Sequence, residues 1–250
     1  MPQDIVFWGI LFFWIACMNP ALDFSRFRAI TFDCYGTLIN WEAGILEAIR
    51  PILLAHGAAL SDAEILRQYG ELEADAEASR YQPYREILGE VVRGFGQRLG
   101  FHVTEEEQHS LPDSLANWNP FSDTVAALRQ LKTRFKLGIV SNIDDDLFSA
   151  SARRLQIDFD YVTTAAQARA YKPSLEIFRL AQAKMGIPPE QWLHAGQSIY
   201  HDVIPAKSIG ISTVWVNRPS PRPGAGAAKR ASATPDVEVH SLAELAQLAT

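Results

Sequence analysis

Five short apolar runs, each followed by a segment of helical periodicity, constrain the fold of this chain more than any other feature. The runs are nearly continuous in apolar residues, as is typical of parallel strands that are covered on both faces. They are Ala29–Asp33, Lys136–Ser141, Tyr161–Thr164, Trp192–Ala195 and Ser212–Val216. Strands that alternate with helices and return by right-handed crossovers predict a doubly wound α/β fold with a parallel sheet.

Residues with capping side chains indicate where helices of this sheet begin and end. We predict that Ser122 caps a helix over residues 123–132 and that Asp144 caps the helix after the second strand. Ser174 is expected to cap a further helix, which Gly186 ends. These assignments follow from the preference of Ser and Asp for helix starts and of Gly for helix ends.

A long interval between the first and second strands, residues 41–119, contains no convincing strand. Its periodicity predicts four helices, over Ala43–Ala55, Asp62–Ala78, Tyr84–Leu99 and Thr104–Ala116. A parallel crossover needs only one helix, so the surplus predicts a helical cap inserted into a core of residues 27–40 and 120–250. The expected fold class is therefore α/β, a doubly wound parallel Rossmann-like sheet with an inserted helical cap domain.

The position of this insertion indicates its role. The interval leaves the sheet just after Asp33, so we expect the cap to lie above the carboxyl ends of the strands, where doubly wound folds bind ligands. The interpretation we favour is a lid over a site. The alternative is a helical decoration with no part in binding.

An uncharged apolar segment, residues 5–17, lies within an N-terminal extension of residues 1–26. It is shorter than the roughly 20 residues that a spanning helix needs, and no positive charge precedes it as in a secretory signal. It fits a membrane anchor, an extra packed helix, or non-native upstream sequence from a wrong start choice. We favour the third interpretation, in which Met18 is the true first residue.

Composition excludes several classes of function. The 250 residues carry a net charge of -6 and no run of Lys or Arg, so no nucleic-acid partner is expected. Cys17 and Cys34 are too few for a disulfide framework or a thiolate metal site, and they fit a reducing compartment. We therefore expect a cytoplasmic protein that does not associate with membranes. The sequence leaves open whether the protein forms a homodimer.

Polar residues follow four of the predicted strands at the point where each strand ends. Asp33 ends the first strand, and Ser141 and Asn142 end the second. Lys172 follows the third, and the segment Gly196–Asp202 follows the fourth. Each of these alone is common at a turn or a helix start. Because the carboxyl ends of parallel strands meet at one edge of a sheet, their order predicts a single crevice lined by all of them.

This order of residues resembles the haloacid dehalogenase superfamily over residues 27–217. The four motifs are Asp33-Cys34-Tyr35-Gly36-Thr37, then Ser141, then Lys172, then Gly196-Gln197 with His201-Asp202. The resemblance implies that Asp33 is a nucleophile and that Lys172 and Asp202 are its catalytic partners. Phosphatases of this superfamily hold Mg²⁺ with the nucleophile, with an Asp two residues later, and with an acid in the fourth motif.

Two positions depart from that phosphatase pattern. Tyr35 stands where the second acid is expected, and Gln197 replaces the first acid of the fourth motif. Mg²⁺ prefers oxygen ligands in an octahedral array and typically takes carboxylates, so Asp33 and Asp202 alone make a poor site. We therefore expect no metal and no cofactor. A phosphatase with a reworked metal site and a non-catalytic binding protein are the more distant alternatives.

With a tyrosine at this position, the first motif resembles that of the 2-haloacid dehalogenase branch. In that branch the aspartate attacks C2 of a small carboxylic acid. The resemblance implies an ester on Asp33 that water then hydrolyses. Lys172 would hold the buried carboxylate ionised, and Asp202 would orient Lys172 and help to activate the water. The expected partner is a small carboxylate substrate. The residues expected to bind it are Tyr35, Thr37, Ser141, Asn142, Gln197, Ser198 and His201.

The sequence does not decide between two candidates for the leaving group. Dehalogenases of this branch carry an early cap arginine that receives the halide, but Arg67 is displaced by about one position and Gln68 is the better match. The segments "FDCYGTLINWEAGI", "SNIDDDLF" and "QSIYHD" resemble a sub-branch that includes azetidine-2-carboxylate hydrolase, in which a ring nitrogen leaves. We favour halide, with ring opening as the alternative. His201 is a candidate for protonating a leaving amine, whereas His194 is expected to be a core histidine.

Overall fold

A six-stranded sheet forms the centre of the computed structural model, in the order β3-β2-β1-β4-β5-β6. All neighbouring strands are parallel. The strands are β1 (Ala29–Phe32), β2 (Lys136–Ser141), β3 (Tyr161–Thr164), β4 (Trp192–Gly196), β5 (Ser212–Val216) and β6 (Val237–Val239). The order reverses between β1 and β4, and such a switch point opens a crevice outside the carboxyl ends of the strands. The prediction of a doubly wound parallel sheet is confirmed.

The strand predictions fail at one edge of the sheet. The five predicted strands all form, and only two of their ends differ, since β1 ends at Phe32 and β4 extends to Gly196. The sequence prediction missed β6, which pairs with β5 alone. Its three residues carry too little alternation to predict a strand, because an edge strand this short depends on the neighbour that it pairs with.

The described residues form ten α-helices around this sheet. They are α1 (Trp41–Ala55), α2 (Asp62–Glu77), α3 (Tyr84–Leu99), α4 (Glu105–Ser114), α5 (Thr124–Lys132), α6 (Asp145–Leu155), α7 (Ala165–Ala168), α8 (Leu175–Met185), α9 (Ile204–Ser208) and α10 (Leu242–Ala249). Helices α1 to α4 lie between β1 and β2, and their ends agree with the predicted ends to within two residues.

Capping was predicted correctly where no tertiary partner competes. Ser174 caps α8 and Gly186 ends it in the left-handed conformation, as predicted. The Ser122 prediction is wrong, because Asp123 occupies the N-cap position of α5 without making a side-chain cap hydrogen bond. The Asp123 carboxylate instead pairs with Arg218 and accepts the first N–H groups of α10. The Asp123 carboxylate therefore caps α10, which is remote in sequence, and not α5.

Asp144 joins the sheet to the inserted helices. It stands at the N-cap of α6, as predicted, but its carboxylate accepts the backbone N–H groups of Tyr84 and Arg85 at 3.0 and 2.9 Å. These N–H groups belong to the first turn of α3 and have no partner within that helix. The Arg85 guanidinium also pairs with Asp146 at 3.1 Å. The end of β2 therefore fixes where α3 begins.

The structure describes residues 22–78, 80–220, 227 and 231–250. The predicted N-terminal extension lies outside these residues up to position 21, and with it the apolar segment 5–17 and Met18. Among the described residues, no helix combines the length and the apolar character needed to cross a membrane.

Candidate active site

Lys172 lies between two buried carboxylates at the switch point of the sheet. Its Nζ donates to Asp33 Oδ1 at 2.9 Å, to Asp202 Oδ1 at 2.7 Å and to the Val140 carbonyl oxygen at 3.0 Å. All three residues with charged side chains are buried, with Lys172 only 2% exposed. A buried ion pair is tolerated when its hydrogen-bonding groups are satisfied, and here every ammonium proton has an acceptor.

Burial and neighbouring charges set the ionisation of this triad. Burial is the largest influence on Asp33 and raises its pKa, while the Lys172 ammonium and the Thr37 hydroxyl act to lower it. Burial also acts to raise the pKa of Asp202, but Lys172 and His194 outweigh it and hold that pKa well below its usual range. The two carboxylates outweigh burial at Lys172 and raise its pKa. Asp202 and Lys172 therefore stay charged near neutral pH.

The turn after β1 orients the Asp33 carboxylate. Thr37 Oγ1 donates to Asp33 Oδ2 at 3.0 Å and accepts the backbone N–H of Gln197 at 2.9 Å. Gly36 has φ +90°, a conformation that glycine adopts without strain, and it allows the chain to turn back toward Asp33. Thr37 is fully buried and does not line the cavity. Its hydroxyl therefore orients the Asp33 carboxylate.

A cavity of about 60 Å³ opens onto Asp33. Of the predicted site residues, all but Thr37 line it: Asp33, Tyr35, Ser141, Asn142, Lys172, Gln197, Ser198, His201 and Asp202. The inserted helices supply the facing wall, with Trp41, Gly70, Glu73, Ala74, Glu77 and Tyr84. One water needs only about 10–15 Å³ on the same measure, so the cavity has room for a small molecule.

Ser141 is the polar residue in this wall that is most available to a ligand. Its hydroxyl is buried and has no hydrogen-bond partner among the described residues, and an unpartnered buried polar group calls for an explanation. The Asn142 side chain, in contrast, accepts the Lys172 N–H at 2.7 Å and donates to Glu77 Oε1 at 3.3 Å. Ser198 Oγ accepts the backbone N–H of His201 at 3.1 Å. A bound ligand with a hydrogen-bonding group would satisfy Ser141.

His194 contacts the triad, which the sequence interpretation missed. It is buried with both ring nitrogens hydrogen-bonded, as expected of a core histidine, but Nε2 lies 3.2 Å from Asp202 Oδ1. Nδ1 lies 2.8 Å from Thr31 Oγ1, which itself accepts Trp192 Nε1–H at 2.7 Å. The network is satisfied when the Thr31 hydroxyl donates to Nδ1 and the Nε2 proton faces Asp202. We assign that tautomer from the donors present.

Gly196 provides the space for Asp202. A Cβ atom at position 196 would overlap the Asp202 side chain, so we expect Gly196→Ala to displace that carboxylate from Lys172. The expected loss is about 1–3 kcal/mol in the free energy of unfolding, together with reduced turnover. Chemical denaturation and initial rates measure both effects. Gly89→Ala is the matched control, because its nearest contact would be an ordinary 3.7 Å. Wild-type turnover by Gly196→Ala would contradict the prediction.

The residues at this site do not fit a magnesium ion. Asp33 and Asp202, the two carboxylates on the core side of the cavity, already flank the Lys172 ammonium. The Tyr35 hydroxyl is hydrogen-bonded to Ser151 Oγ at 2.8 Å. Within the part of the chain that the structure describes, no group of three or more His, Cys, Asp or Glu residues could hold a metal ion. Mg²⁺ requires a richer set of oxygen ligands.

Neither residue considered for halide binding lies in the cavity wall. Arg67 is exposed and pairs with Glu71 at 2.6 Å, and Gln68 is buried on another face of α2. Lys172 is the only lysine or arginine among the described residues of the wall. Helix α2 turns a different face toward Asp33. That face carries Gly70, Glu73, Ala74 and Glu77. On this face two carboxyl residues and two small residues recur at helical spacing. The sequence interpretation overlooked this pattern.

Comparisons with known proteins show which family and which folds this chain is similar to. A family model described as haloacid dehalogenase-like hydrolase matches residues 27–210. An (S)-2-haloacid dehalogenase of Pseudomonas putida is 26% identical over 224 residues, which cover 88% of this chain and 96% of that protein. A glyceraldehyde 3-phosphate phosphatase of Methanothermobacter thermautotrophicus is 26% identical over 197 residues, or 76% of this chain and 85% of that protein. The structure of L-2-haloacid dehalogenase from Xanthobacter autotrophicus superimposes with a TM-score of 0.72 at 22% identity, covering 89% of this chain and 98% of that one.

Proposed function

The chain belongs to the haloacid dehalogenase-like hydrolase family and is a hydrolase, and from this premise we propose that it attacks C2 of a small 2-substituted carboxylic acid without a metal. The observation that carries the proposal is the Asp33–Lys172–Asp202 triad, which opens onto a small cavity. Tyr35 and Gln197 in the same wall replace the acids that a magnesium-dependent phosphatase uses.

The reaction proceeds in two steps on Asp33. A carboxylate oxygen of Asp33 forms a bond to C2 of the substrate, and the leaving group departs with the electron pair of its bond. Water then attacks Cγ of the resulting ester, so that the product hydroxyl keeps the oxygen that came from Asp33. Covalent catalysis of this kind divides one difficult displacement into two easier steps.

The neighbours of Asp33 support both steps. Lys172 stabilises the ionised carboxylate, and Asp202 holds Lys172 in place from its other side. Opposite charges at hydrogen-bonding distance favour the charged forms of both groups. The unpartnered Ser141 hydroxyl is placed to donate to the substrate carboxylate. The small cavity and the low cysteine count favour a free small carboxylate as substrate and the cytoplasm as location.

Two leaving groups remain candidates. Halide is the first, because the Pseudomonas putida relative is a 2-haloacid dehalogenase. A ring nitrogen is the second, and a specific observation favours it: Glu73 and Glu77 face Asp33 where a halide-binding arginine was expected. Carboxyl groups suit a nitrogen that carries positive charge or accepts a proton, and they do not suit a departing anion.

Three substrates test the proposed function. The protein is incubated with 2-chloropropionate, azetidine-2-carboxylate or p-nitrophenyl phosphate, each with EDTA or with added Mg²⁺. We expect turnover of at least one of the first two, at the same rate in EDTA and in Mg²⁺, because Lys172 supplies the positive charge of the site. Chloride release, amine formation and nitrophenolate absorbance are the measurements. Phosphate ester hydrolysis that requires Mg²⁺ would contradict the proposal.

A further inference from the structure

A buried hydrogen-bond network reaches Asp202 from the interior of the sheet. Trp192 Nε1–H donates to Thr31 Oγ1 at 2.7 Å, and Thr31 Oγ1 lies 2.8 Å from Nδ1 of His194. Nε2 of the same ring lies 3.2 Å from Asp202 Oδ1. All four residues are at most 1% exposed. The first three do not line the cavity, so the reaction on the nucleophile does not use them directly.

The register of the sheet builds this network. Thr31 of β1 pairs with His194 of β4. Trp192 lies two residues before His194 on the same strand, so its side chain points to the same face. Phe178 of α8 packs edge-on against the imidazole, with ring centroids 5.1 Å apart. Two hydrogen bonds and an aromatic contact therefore hold the His194 ring in place.

The donors and acceptors of the network give it one direction. An indole N–H can only donate, so Trp192 donates to Thr31. The Thr31 hydroxyl donates its own proton to Nδ1 of His194, and the neutral ring then carries its single N–H proton on Nε2. That proton faces Asp202 Oδ1. Every hydrogen bond in the network therefore points toward the carboxylate.

The other partners of Asp202 are held less firmly than His194. Asp202 Oδ1 also accepts from Lys172 Nζ at 2.7 Å, and Oδ2 accepts the backbone N–H of Ser198 at 3.2 Å. The ammonium ends a flexible four-carbon stem, and Ser198 lies outside the strand, whereas His194 belongs to β4 itself. Burial acts to raise the pKa of Asp202, and the hydrogen bond from His194 helps Lys172 to lower it.

We propose that His194 is a positioning residue of this site, which fixes the Asp202 carboxylate and through it the Lys172 ammonium. The inference rests on the proposed function, because the place of this ammonium affects turnover only if Asp33 acts as the nucleophile. Since His194 does not line the cavity, it acts through Asp202 and not through substrate binding. An effect of this kind lowers kcat and leaves KM nearly unchanged.

Two substitutions of His194 test this role, with 2-chloropropionate or azetidine-2-carboxylate as substrate. His194→Phe keeps a planar ring without nitrogens, and we expect kcat to fall about 10²-fold, the cost of a misplacement of about 1 Å, while KM changes by less than a few-fold. His194→Gln retains an N–H group for Asp202 and an oxygen for the Thr31 hydroxyl, so most of the lost kcat should return. A loss confined to KM, or equal losses in the two variants, would overturn the inference.

Two threonines beside His194 provide a matched pair of variants should the histidine variants fold poorly. Thr31 pairs with His194 on one side, and Thr213 of β5 pairs with it on the other. Both threonines are buried, but Thr213 Oγ1 donates to Asp236 and not toward the triad. We expect Thr31→Val to lower kcat and Thr213→Val to leave it unchanged, although each loses a buried hydrogen bond. Equal kcat values would overturn the inference, since a merely structural role predicts no difference.

The effects at Thr31 and His194 should also be coupled. In the proposed network Thr31 acts on Asp202 only through the imidazole, so Thr31→Val should cost no further kcat in the His194→Phe background. Residues of one hydrogen-bond network typically show such non-additive effects. Additive losses in the double variant would overturn the inference, because Thr31 would then act by another route.

Nitrogen-15 NMR of the histidine rings tests the network without a substrate. The chemical shifts distinguish a protonated ring nitrogen from an unprotonated one, and His194→Gln assigns the signals. We expect the proton of His194 on Nε2 in the wild-type protein, with part of it moved to Nδ1 in Thr31→Val. A proton on Nδ1 in the wild-type protein would overturn the inference.

The outcomes distinguish this inference from the proposed function. An Asp33 ester that forms in the wild-type protein, with kcat insensitive to His194→Phe, leaves the proposed function intact and overturns the role of His194. Absence of an Asp33 ester with both substrates, detected by mass spectrometry of the intact protein, contradicts the proposed function itself.

Discussion

Asp33→Asn is expected to lower turnover by at least about 10⁴-fold, the range seen when an enzyme loses its nucleophile. An amide is a far weaker nucleophile than a carboxylate, and Asp33 is the carboxylate that Lys172 and Thr37 hold at the cavity. Initial rates with the accepted substrate measure the loss. Asp75→Asn, at an exposed position on α2, is the matched control and should retain wild-type turnover.

Isotope labelling tests the same assignment without a variant. A single turnover in ¹⁸O-labelled water should place the label in the Asp33 side chain, because water attacks the ester at the enzyme's own carbonyl carbon. Mass spectrometry of the peptide that contains Asp33 detects it. Label that appears in the product of the first turnover would mean that water attacks the substrate directly, and the covalent mechanism would be wrong.

Lys172→Met is expected to cost both activity and stability. It leaves Asp33 and Asp202 as buried carboxylates without their shared counter-charge, and breaking a buried ion pair in this way typically costs about 3–5 kcal/mol. Turnover should fall steeply, because the pKa of Asp33 rises once the ammonium that lowers it is gone. Urea denaturation and initial rates measure the two losses.

The stability loss in Lys172→Met should depend on pH in a defined direction. Burial raises the pKa of Asp33, and loss of the ammonium that opposes this effect leaves its folded-state pKa further above the unfolded value. Groups shifted in this direction stabilise the fold when protonated, and that stability is lost as pH rises through the folded-state pKa. We therefore expect a larger deficit at pH 8 than at pH 5.

A surface lysine provides the control for this experiment. Lys184→Met, at an exposed position on α8, should change the free energy of unfolding by no more than about 0.5 kcal/mol. If Lys172→Met were as mild as this control at pH 8, the buried ammonium would not be needed to hold the two carboxylates together.

Much of the fold could be predicted because its signals are local. Runs such as Lys136–Ser141 are apolar enough to indicate strands buried on both faces, and the structure places that strand at the predicted residues. Val237–Val239 could not be predicted in the same way, since an edge strand of three residues is decided by the strand beside it. Ser122 failed as a cap because Asp123 is engaged by Arg218 and α10, partners that are remote in sequence.

The sequence by itself determined the convergence of Asp33, Lys172 and Asp202. Each follows a strand of one parallel sheet, and the carboxyl ends of parallel strands meet at a shared edge. The turn after β1 is also a local feature, because Gly36 adopts the left-handed conformation that favours glycine.

The tertiary structure alone decided which face of α2 meets the nucleophile. Successive residues of a helix point about 100° apart, so an uncertainty of one position in the sequence interpretation exchanges one face for another. Packing of α2 against α1 and α3 sets its rotation, and that rotation sends Arg67 to solvent while bringing Glu73 to the cavity. The chemistry of the leaving group therefore depends on contacts between helices that no local pattern records.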